Sequence, residues 1–305
     1  MNYDNSAGFR RALEDRLRTQ SLKTGAPLVR LRKMVVFDRF LVRLIQDQPD
    51  AWVLKGGLAL QLRLGNQART TKDIDLLLTA RRDEGHATRS WRDIHQALVR
   101  AALLDLRDWF QFEVERPADE IPTEPVGGMR FRVRGLLDGR RFETFHIDVG
   151  WGDPLVEAVE TLTTPPLLTF AGISPTAVPC YPLTQQVAEK VHAYTRPRAT
   201  GLSSRVKDLI DILLIAELGK MDGQVLHQAL RATFETRKTH ELPGHLPDPP
   251  PTWTAPFRRL ARETGLAYQT LEDAAEAAHR FLDPVLQGEA TGTWDPAMWS
   301  WKNLV

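Results

Sequence analysis

Two adjacent glycines, Gly56 and Gly57, constrain the fold of this chain more than any other local feature. A short apolar run, Trp52 to Leu54, precedes them, and a leucine-rich run follows up to Gly65. The first run is typical of a buried strand and the second of a short helix, while glycine permits the turn between them. We therefore predict a strand, a glycine turn and a helix, whose free backbone amides would suit a phosphate group.

Two aspartates follow at a spacing that suggests a cation site. Eleven residues separate Gly57 from the run Arg69-Thr70-Thr71-Lys72-Asp73-Ile74-Asp75. This run leads into a second predicted strand, Asp73 to Leu78. Residues i and i+2 of a strand project from the same face, so Asp73 and Asp75 would lie side by side. Magnesium binds one or two carboxylates together with substrate phosphates, as in two-metal phosphoryl transfer. Such a pair is often only solvated, but the preceding strand, glycines and helix make the combination specific.

A third carboxylate is expected on a neighbouring strand. Asp148 lies between Ile147 and Val149, where an unpaired charge would be costly. Metal coordination would remove that cost, and so would a salt bridge to an arginine. Asp153 is a competing candidate for the same place.

Two predicted helices later in the chain carry further charged residues. Lys190 borders the apolar stripe of the first helix, from which its side chain could reach a triphosphate or simply extend to water. Asp208 and Asp211 share one face of the second helix, and that face is apolar enough that Asp211 needs a partner. Functionally, Asp211 would orient Lys190 or the incoming hydroxyl; structurally, it would pair with a nearby Lys or Arg.

The order of predicted elements indicates an α+β fold, with a mixed sheet followed by a helical lobe. Before the glycines we predict helices over 8–20 and 27–47, and after the aspartates a helix over 90–104, a strand over 109–116 and a hairpin turning at residues 137–140. Five prolines in 163–182 predict broken structure and a crossing between lobes, so we divide the chain into 1–165 and 166–305. The second part is predicted to be helical over 183–194, 204–218, 222–237, 256–263 and 269–285, with a proline-rich loop over 243–256.

Composition excludes several classes of protein. Cys180 is the only cysteine, which rules out a disulfide framework and a thiolate metal site. The chain has no apolar run of roughly 18 residues and no apolar segment near its polar beginning, so we predict a cytoplasmic protein without a membrane segment. Residues 8–43 hold ten Lys and Arg against three Asp and Glu, a balance that suits RNA phosphates or solvated helix faces equally well.

These motifs, in this order, resemble those of the AbiEii nucleotidyltransferase toxins, which include the MenT toxins of mycobacteria. The resemblance extends from about Leu22 to Asp283 and rests on four motifs: residues 53–57 with the leucines that follow, residues 69–76, residues 147–150, and Lys190 with residues 207–211. It implies a polymerase-beta-like nucleotidyltransferase core, magnesium, an NTP as co-substrate and a cognate antitoxin. Related enzymes often have Gly-Ser where this chain has Gly56-Gly57, so the Thr71 hydroxyl would replace the missing serine.

The resemblance also implies roles for individual residues. Gly56, Gly57, Arg69 and Thr71 would hold the triphosphate together with Lys190. Asp73 and Asp75 would bind the metals, with Asp148 completing the site, and Lys190 and Asp211 would make the catalytic contacts of the helical lobe.

The function expected from this resemblance is transfer of a nucleoside monophosphate from an NTP to an RNA acceptor, the tRNA 3′ end, which would block translation. Two alternatives stay open. The acceptor could be a small molecule or a protein side chain, or the chain could be a catalytically silent scaffold that binds nucleotide.

Overall fold

The structure, a computed structural model, describes residues 3–79, 90–117, 127–197 and 205–302. It begins with two long helices, α1 (Ser6–Thr24) and α2 (Leu28–Asp47), where helices were predicted over 8–20 and 27–47. Strand β1 (Trp52–Lys55) leads directly into helix α3 (Gly56–Leu64), which confirms the predicted strand, glycine turn and helix. Within the described ranges, no helix is both long enough and apolar enough to cross a membrane.

Six further strands follow β1: β2 (Ile74–Leu78), β3 (Phe110–Val114), β4 (Gly127–Leu137), β5 (Arg140–Trp151), β6 (Glu160–Thr163) and β7 (Ala177–Cys180). The seven strands form one mixed sheet, in the order β3-β4-β5-β2-β1-β7-β6. Parallel pairs are β2 with β5 and β1 with β7, and the other neighbours are antiparallel. Since helices and a mixed sheet are both present, the predicted α+β class is confirmed.

One face of the sheet is covered by α1, α2 and α4 (Trp91–Ala102), and the other carries the polar side chains. Strand β4 shows the alternation clearly, since Met129, Phe131 and Val133 are buried whereas the arginines between them are exposed. Side chains that alternate in this way belong to a sheet with one packed and one polar face. The hairpin of β4 and β5 thus presents its polar side chains on the face opposite the long helices.

Several cations of the basic N-terminal segment donate hydrogen bonds to groups within the protein. Arg10 donates to the Leu137 carbonyl at the hairpin turn (2.5 Å), and Arg32 donates to Glu143 on β5 (3.0 Å). Arg43 is buried and donates to both oxygens of Asp108 (2.7 and 2.9 Å). These cations are bonded inside the protein, whereas Arg11, Arg16, Arg18 and Lys23 of the same segment are exposed. The expectation that the segment collects RNA phosphates stays a prediction.

The second lobe has its own apolar core, built around α6 (Val206–Leu218), which is buried along almost its whole length. Each predicted helix of this lobe is present, but the sequence did not reveal the C-terminal hairpin. Its Trp294 Nε1 donates to the Ala216 carbonyl (2.9 Å) and so ties the hairpin to α6. The other elements are α5 (Leu183–Thr195), α7 (Gly223–Arg237), α8 (Thr254–Thr264), α9 (Leu271–Leu286), β8 (Thr293–Asp295) and β9 (Ser300–Lys302).

The proline-rich segment 163–182 differs from the prediction of broken structure. Its last residues form β7, whose Cys180 lies opposite Leu54 of β1 in parallel register. A proline removes only its own N–H donor, so a four-residue strand tolerates Pro179 next to β6. Val178 and Cys180 pack into the core of the sheet lobe. The division of the chain at residue 165 stays a prediction.

Candidate active site

The turn between β1 and α3 requires glycine for a reason that the sequence did not reveal. Gly56 has a φ of 64°, and a Cβ atom at this position would lie 2.1 Å from the Asp75 Oδ2 atom. The amide of Gly57 donates to the same Asp75 oxygen at 3.4 Å. Gly56 therefore serves first to let a carboxylate approach the start of the helix, where backbone amides and the helix dipole favour negative charge.

Thr71 lies where a serine at position 57 would place its side chain. A Cβ atom on Gly57 would be 3.0 Å from the Thr71 Oγ1 atom and 3.5 Å from an Arg69 guanidinium nitrogen. Thr71 is buried, and its hydroxyl donates to the Asp73 carbonyl at 3.3 Å. The Thr71 hydroxyl thus lies next to Gly57, and its part in phosphate binding stays a prediction.

The three predicted metal ligands lie together on the polar face, near the start of the central strand β2. Asp75 of β2 lies directly opposite Asp148 of β5 in the parallel register, and Asp73 immediately precedes β2. The Arg130 guanidinium donates to both oxygens of Asp148 (2.6 and 2.7 Å) and lies 3.9 Å from Asp73. His146 Nδ1 lies 3.1 Å from the other Asp73 oxygen. The structural alternative for Asp148, a salt bridge to an arginine, is therefore confirmed, and the arginine is one that the sequence had not singled out.

Asp75 has a strongly perturbed carboxyl group. Burial and the neighbouring Asp148 charge raise the pKa of Asp75 to about 6, against the opposing influence of Lys55, Lys190 and the Gly57 amide. The hydrogen bonds that Arg130 donates to Asp148 raise the pKa of the Arg130 guanidinium. A half-buried carboxylate beside a second one favours any additional cation or proton, so this part of the sheet would be stabilised by more positive charge.

The carboxylates fit magnesium by their chemistry, although their present arrangement is not a preformed cage. Among the described residues, no group of three or more His, Cys, Asp or Glu side chains is arranged to hold a metal. Magnesium does not need such a group, because it takes one or two carboxylates and completes its shell with water and substrate phosphate. Asp73 and Asp75 would offer those oxygens, and Asp148 would add another if it released Arg130.

Asp153, the competing candidate for the third carboxylate, belongs to a different structure. Lys55 donates to Asp153 (2.6 Å) and Glu189 (3.0 Å), and Arg237 donates to the same two carboxylates (2.8 Å each). These four residues form a closed ring of alternating charge, which we call the lobe-junction ring. Burial opposes the ionisation of Asp153, but Lys55 and Arg237 lower its pKa to about 2.

The lobe-junction ring joins the two parts of the chain. Lys55 ends β1 and Asp153 follows β5, whereas Glu189 lies on α5 and Arg237 ends α7. Because each carboxylate of the ring already has two cationic partners, Asp153 does not need a metal. Asp148 lies in register with Asp75, and its role as the third carboxylate of the site stays a prediction.

Lys190 and Asp211 meet as predicted, together with Arg69. Asp211 is fully buried and accepts from Lys190 Nζ (2.6 Å) and from Arg69 Nε and Nη2 (3.0 Å each). Burial opposes its ionisation, but Lys190 and Arg69 hold its pKa below the ordinary value. Asp208 also accepts from Lys190, at 3.2 Å. Asp211 thus fixes the positions of two cations, one from each lobe.

Lys207, the first residue of the motif 207–211, is a further cation at the same site. It is half-buried, and among the described residues it makes no ion pair within 4.0 Å. Burial lowers its pKa, and the nearby cations Arg69, Arg205 and Lys190 lower it further. A lysine in such surroundings attracts an anion. Because Asp208 and Asp211 belong to the same motif, the sequence did not predict that Lys207 would make no ion pair with a described residue.

Two cavities meet at Lys55 and Asp75. The first, which we call the cationic cavity, has a volume of about 320 Å³ and includes Gly56, Gly57, Arg69, Lys190, Arg205 and Lys207. The second, which we call the Asp148-side cavity, has a volume of about 290 Å³ and includes Asp148 and Gly150. The carboxylates therefore lie between a space rich in positive charge and a space of similar size on their other side.

The chain is similar to a known protein family and to several solved structures. The family model of the AbiEii nucleotidyl transferase toxin, of a type IV toxin–antitoxin system, matches residues 39–304. MenT4, a nucleotidyltransferase toxin of Mycobacterium tuberculosis H37Rv, is 17% identical, with a TM-score of 0.47 over 84% of this chain and 91% of its own. JHP933 of Helicobacter pylori is 12% identical, with a TM-score of 0.43 over 84% and 93%.

No curated protein matches the sequence. The family match confirms the resemblance that was inferred from the motifs, and it extends over both lobes. A nucleotide substrate and an antitoxin partner belong to this family's function. The chain is therefore a member of the AbiEii family, a nucleotidyltransferase toxin of a type IV toxin–antitoxin system.

Proposed function

We propose that this enzyme transfers a nucleoside monophosphate from an NTP to the 3′ hydroxyl of an RNA, and that the acceptor is the tRNA 3′ end. In this reaction the hydroxyl oxygen bonds to the α-phosphorus, the bond from the α-phosphorus to the bridging oxygen breaks, and pyrophosphate leaves. The hydroxyl proton passes to solvent. A blocked 3′ end cannot accept an amino acid, which would account for toxicity through translation.

The observation that carries the proposal is the position of three carboxylates beside a cation-lined cavity. Asp73, Asp75 and Asp148 lie together on the polar face near the start of β2, and the cationic cavity extends from Asp75 towards the start of α3. The polyanionic tail of an NTP matches that cavity, because backbone amides and several cations face the same space.

Each residue of the cationic cavity has a part in this proposal. Gly57 offers a backbone amide, and Lys207, which has no anionic partner in the described chain, offers its ammonium group to phosphate oxygens. Lys190 and Arg69, both fixed by Asp211, would bind the same tail from opposite lobes. Thr71 would contribute its hydroxyl beside Gly57. Cations held in place before the reaction stabilise the charge that develops on the leaving pyrophosphate.

Magnesium would be held by Asp73 and Asp75, with Asp148 completing the site. When bound there, it would neutralise phosphate charge and activate the attacking oxygen. The protein's own contribution is to keep Asp75 buried next to the Gly57 amide and to supply an adjacent carboxylate on β5.

The test is direct labelling. Purified protein is incubated with magnesium, total tRNA and each α-labelled NTP in turn, and label is read in tRNA and in protein on a denaturing gel. Asp75→Asn, which keeps the shape of the side chain, serves as the inactive variant, and Asp15→Asn on the exposed face of α1 serves as the matched control.

Label in tRNA that disappears with Asp75→Asn and persists with Asp15→Asn is the expected result, and it also identifies the nucleotide. Label in protein would replace tRNA by a protein acceptor. Absence of label from both would contradict the RNA proposal and leave a small-molecule acceptor or a silent scaffold. A cytoplasmic location, expected for an enzyme that acts on tRNA, would be tested by fractionating the cells that produce it.

A further inference from the structure

The two cavities at the carboxylates differ in which catalytic groups they contain. Both are lined by Lys55, Asp75, Ala193, Arg205 and Arg237. Only the cationic cavity includes Gly56 and Gly57, and only the other includes Asp148. Asp75 thus separates two spaces, one on the side of the helix start and one on the side of β5. A reaction with two substrates needs two such spaces.

The direction of phosphoryl transfer assigns one space to each substrate. The attacking and leaving oxygens lie roughly in line on opposite sides of the transferred phosphorus. If pyrophosphate leaves into the cationic cavity, the attacking hydroxyl must approach from the other side of Asp75. We infer that the Asp148-side cavity receives the terminal nucleoside of the acceptor, as one unpaired nucleoside, an inference that rests on the proposed function.

The walls of the Asp148-side cavity suit a nucleoside that carries a phosphate. Eight of the fifteen lining residues are uncharged, and glycine backbone leaves room for a flat ring to lie close to the chain. The other seven are three aspartates and four cations, and the cations would meet the phosphate that links this nucleoside to the rest of the RNA. Burial, helped by the nearby Arg237, lowers the pKa of His192 to about 3, so its ring is neutral and offers hydrogen bonds without positive charge. The uncharged lining residues are Gly127, Gly128, Met129, Val149, Gly150, His192, Ala193 and Thr239.

The size of the cavity limits what enters it. At about 290 Å³ it lies at the lower end of the roughly 300–1,000 Å³ found for small-ligand sites. One nucleoside is of this size, whereas a base pair is not. Unpaired nucleotides are also the form in which proteins usually contact RNA bases, by hydrogen bonds and by stacking. The cavity therefore predicts a single-stranded 3′ end and discriminates against a blunt duplex.

Gly150 on β5 provides a way to narrow this cavity, because it lines this cavity and not the cationic one. A Cβ atom there would lie 3.5 Å from Lys55 Nζ and 3.7 Å from Asp153 Oδ2, which are ordinary contacts. Gly150→Ala and the larger Gly150→Val therefore form a series of increasing bulk. Gly219→Ala is the matched control, because its Cβ would meet nothing within 4 Å and its backbone is extended.

We expect the KM for a single-stranded RNA acceptor to rise with side-chain size, by about tenfold or more for Gly150→Val, since pockets discriminate by such factors per added group. The KM for the NTP should change less than about twofold across the series, as in Gly219→Ala. A rise in the KM for the NTP alone would assign this cavity to the nucleoside of the donor and overturn the inference. Unchanged values for both substrates would overturn it as well.

A second measurement separates this inference from the proposed function. An RNA that carries 4-thiouridine as its 3′-terminal nucleotide is photo-crosslinked to the wild-type protein, and the modified peptide is mapped by mass spectrometry. Crosslinks within 127–130 or 192–196 support the inference. Crosslinks elsewhere, with transfer to RNA intact, refute the cavity assignment but not the function. Wild-type protein that transfers no label to RNA refutes the function, and the crosslink still shows whether an RNA end occupies this cavity.

Discussion

Replacing Asp75 by asparagine should stabilise the metal-free protein while abolishing its activity. Burial and Asp148 raise the pKa of Asp75 to about 6, compared with 3.8 for an ordinary aspartate. That difference corresponds to roughly 3 kcal/mol by which the ionised carboxylate disfavours the folded state. Because the side chain is partly exposed to the cavities, where water screens its charge, we expect Asp75→Asn to add about 1–3 kcal/mol to the free energy of unfolding.

The sign of the pH dependence follows from the raised pKa of Asp75. Above about pH 6 the folded state carries the full penalty of the buried charge. As the pH falls towards 4, Asp75 takes up a proton in the folded state before it does so in the unfolded chain, and the penalty fades. The stabilisation by Asp75→Asn should therefore be largest near pH 7.5 and fall below about 1 kcal/mol at pH 4.

Urea unfolding in EDTA, at pH 7.5 and pH 4, measures both quantities. Asp15→Asn is the control, since an exposed aspartate should change stability by less than about 0.5 kcal/mol at either pH. In a second series, magnesium with an NTP should raise the melting temperature of the wild-type protein but not of Asp75→Asn. If Asp75→Asn leaves the free energy of unfolding unchanged or lowers it at pH 7.5 in EDTA, the argument that this carboxylate lacks sufficient cationic partners is wrong.

Three further substitutions test other parts of the structure by urea unfolding. Gly56→Ala should lower the free energy of unfolding by about 1–3 kcal/mol, because its φ is 64° and the new Cβ would overlap the Asp75 carboxylate; Gly219→Ala is its control. Lys55→Met should lower the free energy of unfolding by about 3–5 kcal/mol. The double variant Lys55→Met with Glu189→Gln should lose less than the sum of the two single variants, because it leaves the lobe-junction ring neutral. Strictly additive losses would contradict a coupled ring. Trp294→Phe should cost about 1–3 kcal/mol through the unpaired Ala216 carbonyl, and an unchanged stability would show that this hydrogen bond is unimportant.

Local features of the site were predictable from the sequence, because they depend on neighbouring residues. The strand, the glycine turn and the helix around Gly56 follow from a change of apolar pattern, and the pairing of Asp73 with Asp75 follows from the two-residue period of a strand. Lys190 and Asp211 were chosen because a charged residue on an apolar helix face needs a partner. The structure brings these two together at 2.6 Å.

The partner of Asp148 was not predictable, because strand register depends on an irregularity. Counting back from the hairpin turn, where Leu137 lies opposite Arg140, would place Arg130 opposite Ile147. A register shift between Gly135 and Leu136 moves the pairing by one residue, so that Arg130 lies opposite Asp148 instead. A one-residue shift moves every side chain to the other face of the pairing, so the arginine nearest the site could be identified only from the structure.

The lobe-junction ring escaped prediction for another reason. Its members come from four elements, and 84 residues separate Asp153 from Arg237. No local pattern distinguishes an arginine that ends a helix and enters a buried ring from one that points to water. The ten cations of residues 8–43 illustrate the same limit. A high density of arginine suggested a surface for phosphates, yet several of these side chains bind carbonyls and carboxylates inside the lobe.

The two interpretations of Asp148, metal ligand or partner of an arginine, have the same physical origin. A carboxylate that lies opposite buried Asp75 on the adjacent strand must have a cation close by, because two uncompensated negative charges at this spacing disfavour the fold. Arg130 meets that requirement in the structure, and any metal that binds Asp148 has to meet it in turn. The sequence pattern reports the need for a cation. Which cation satisfies it depends on the register of β4 and on what the enzyme has bound.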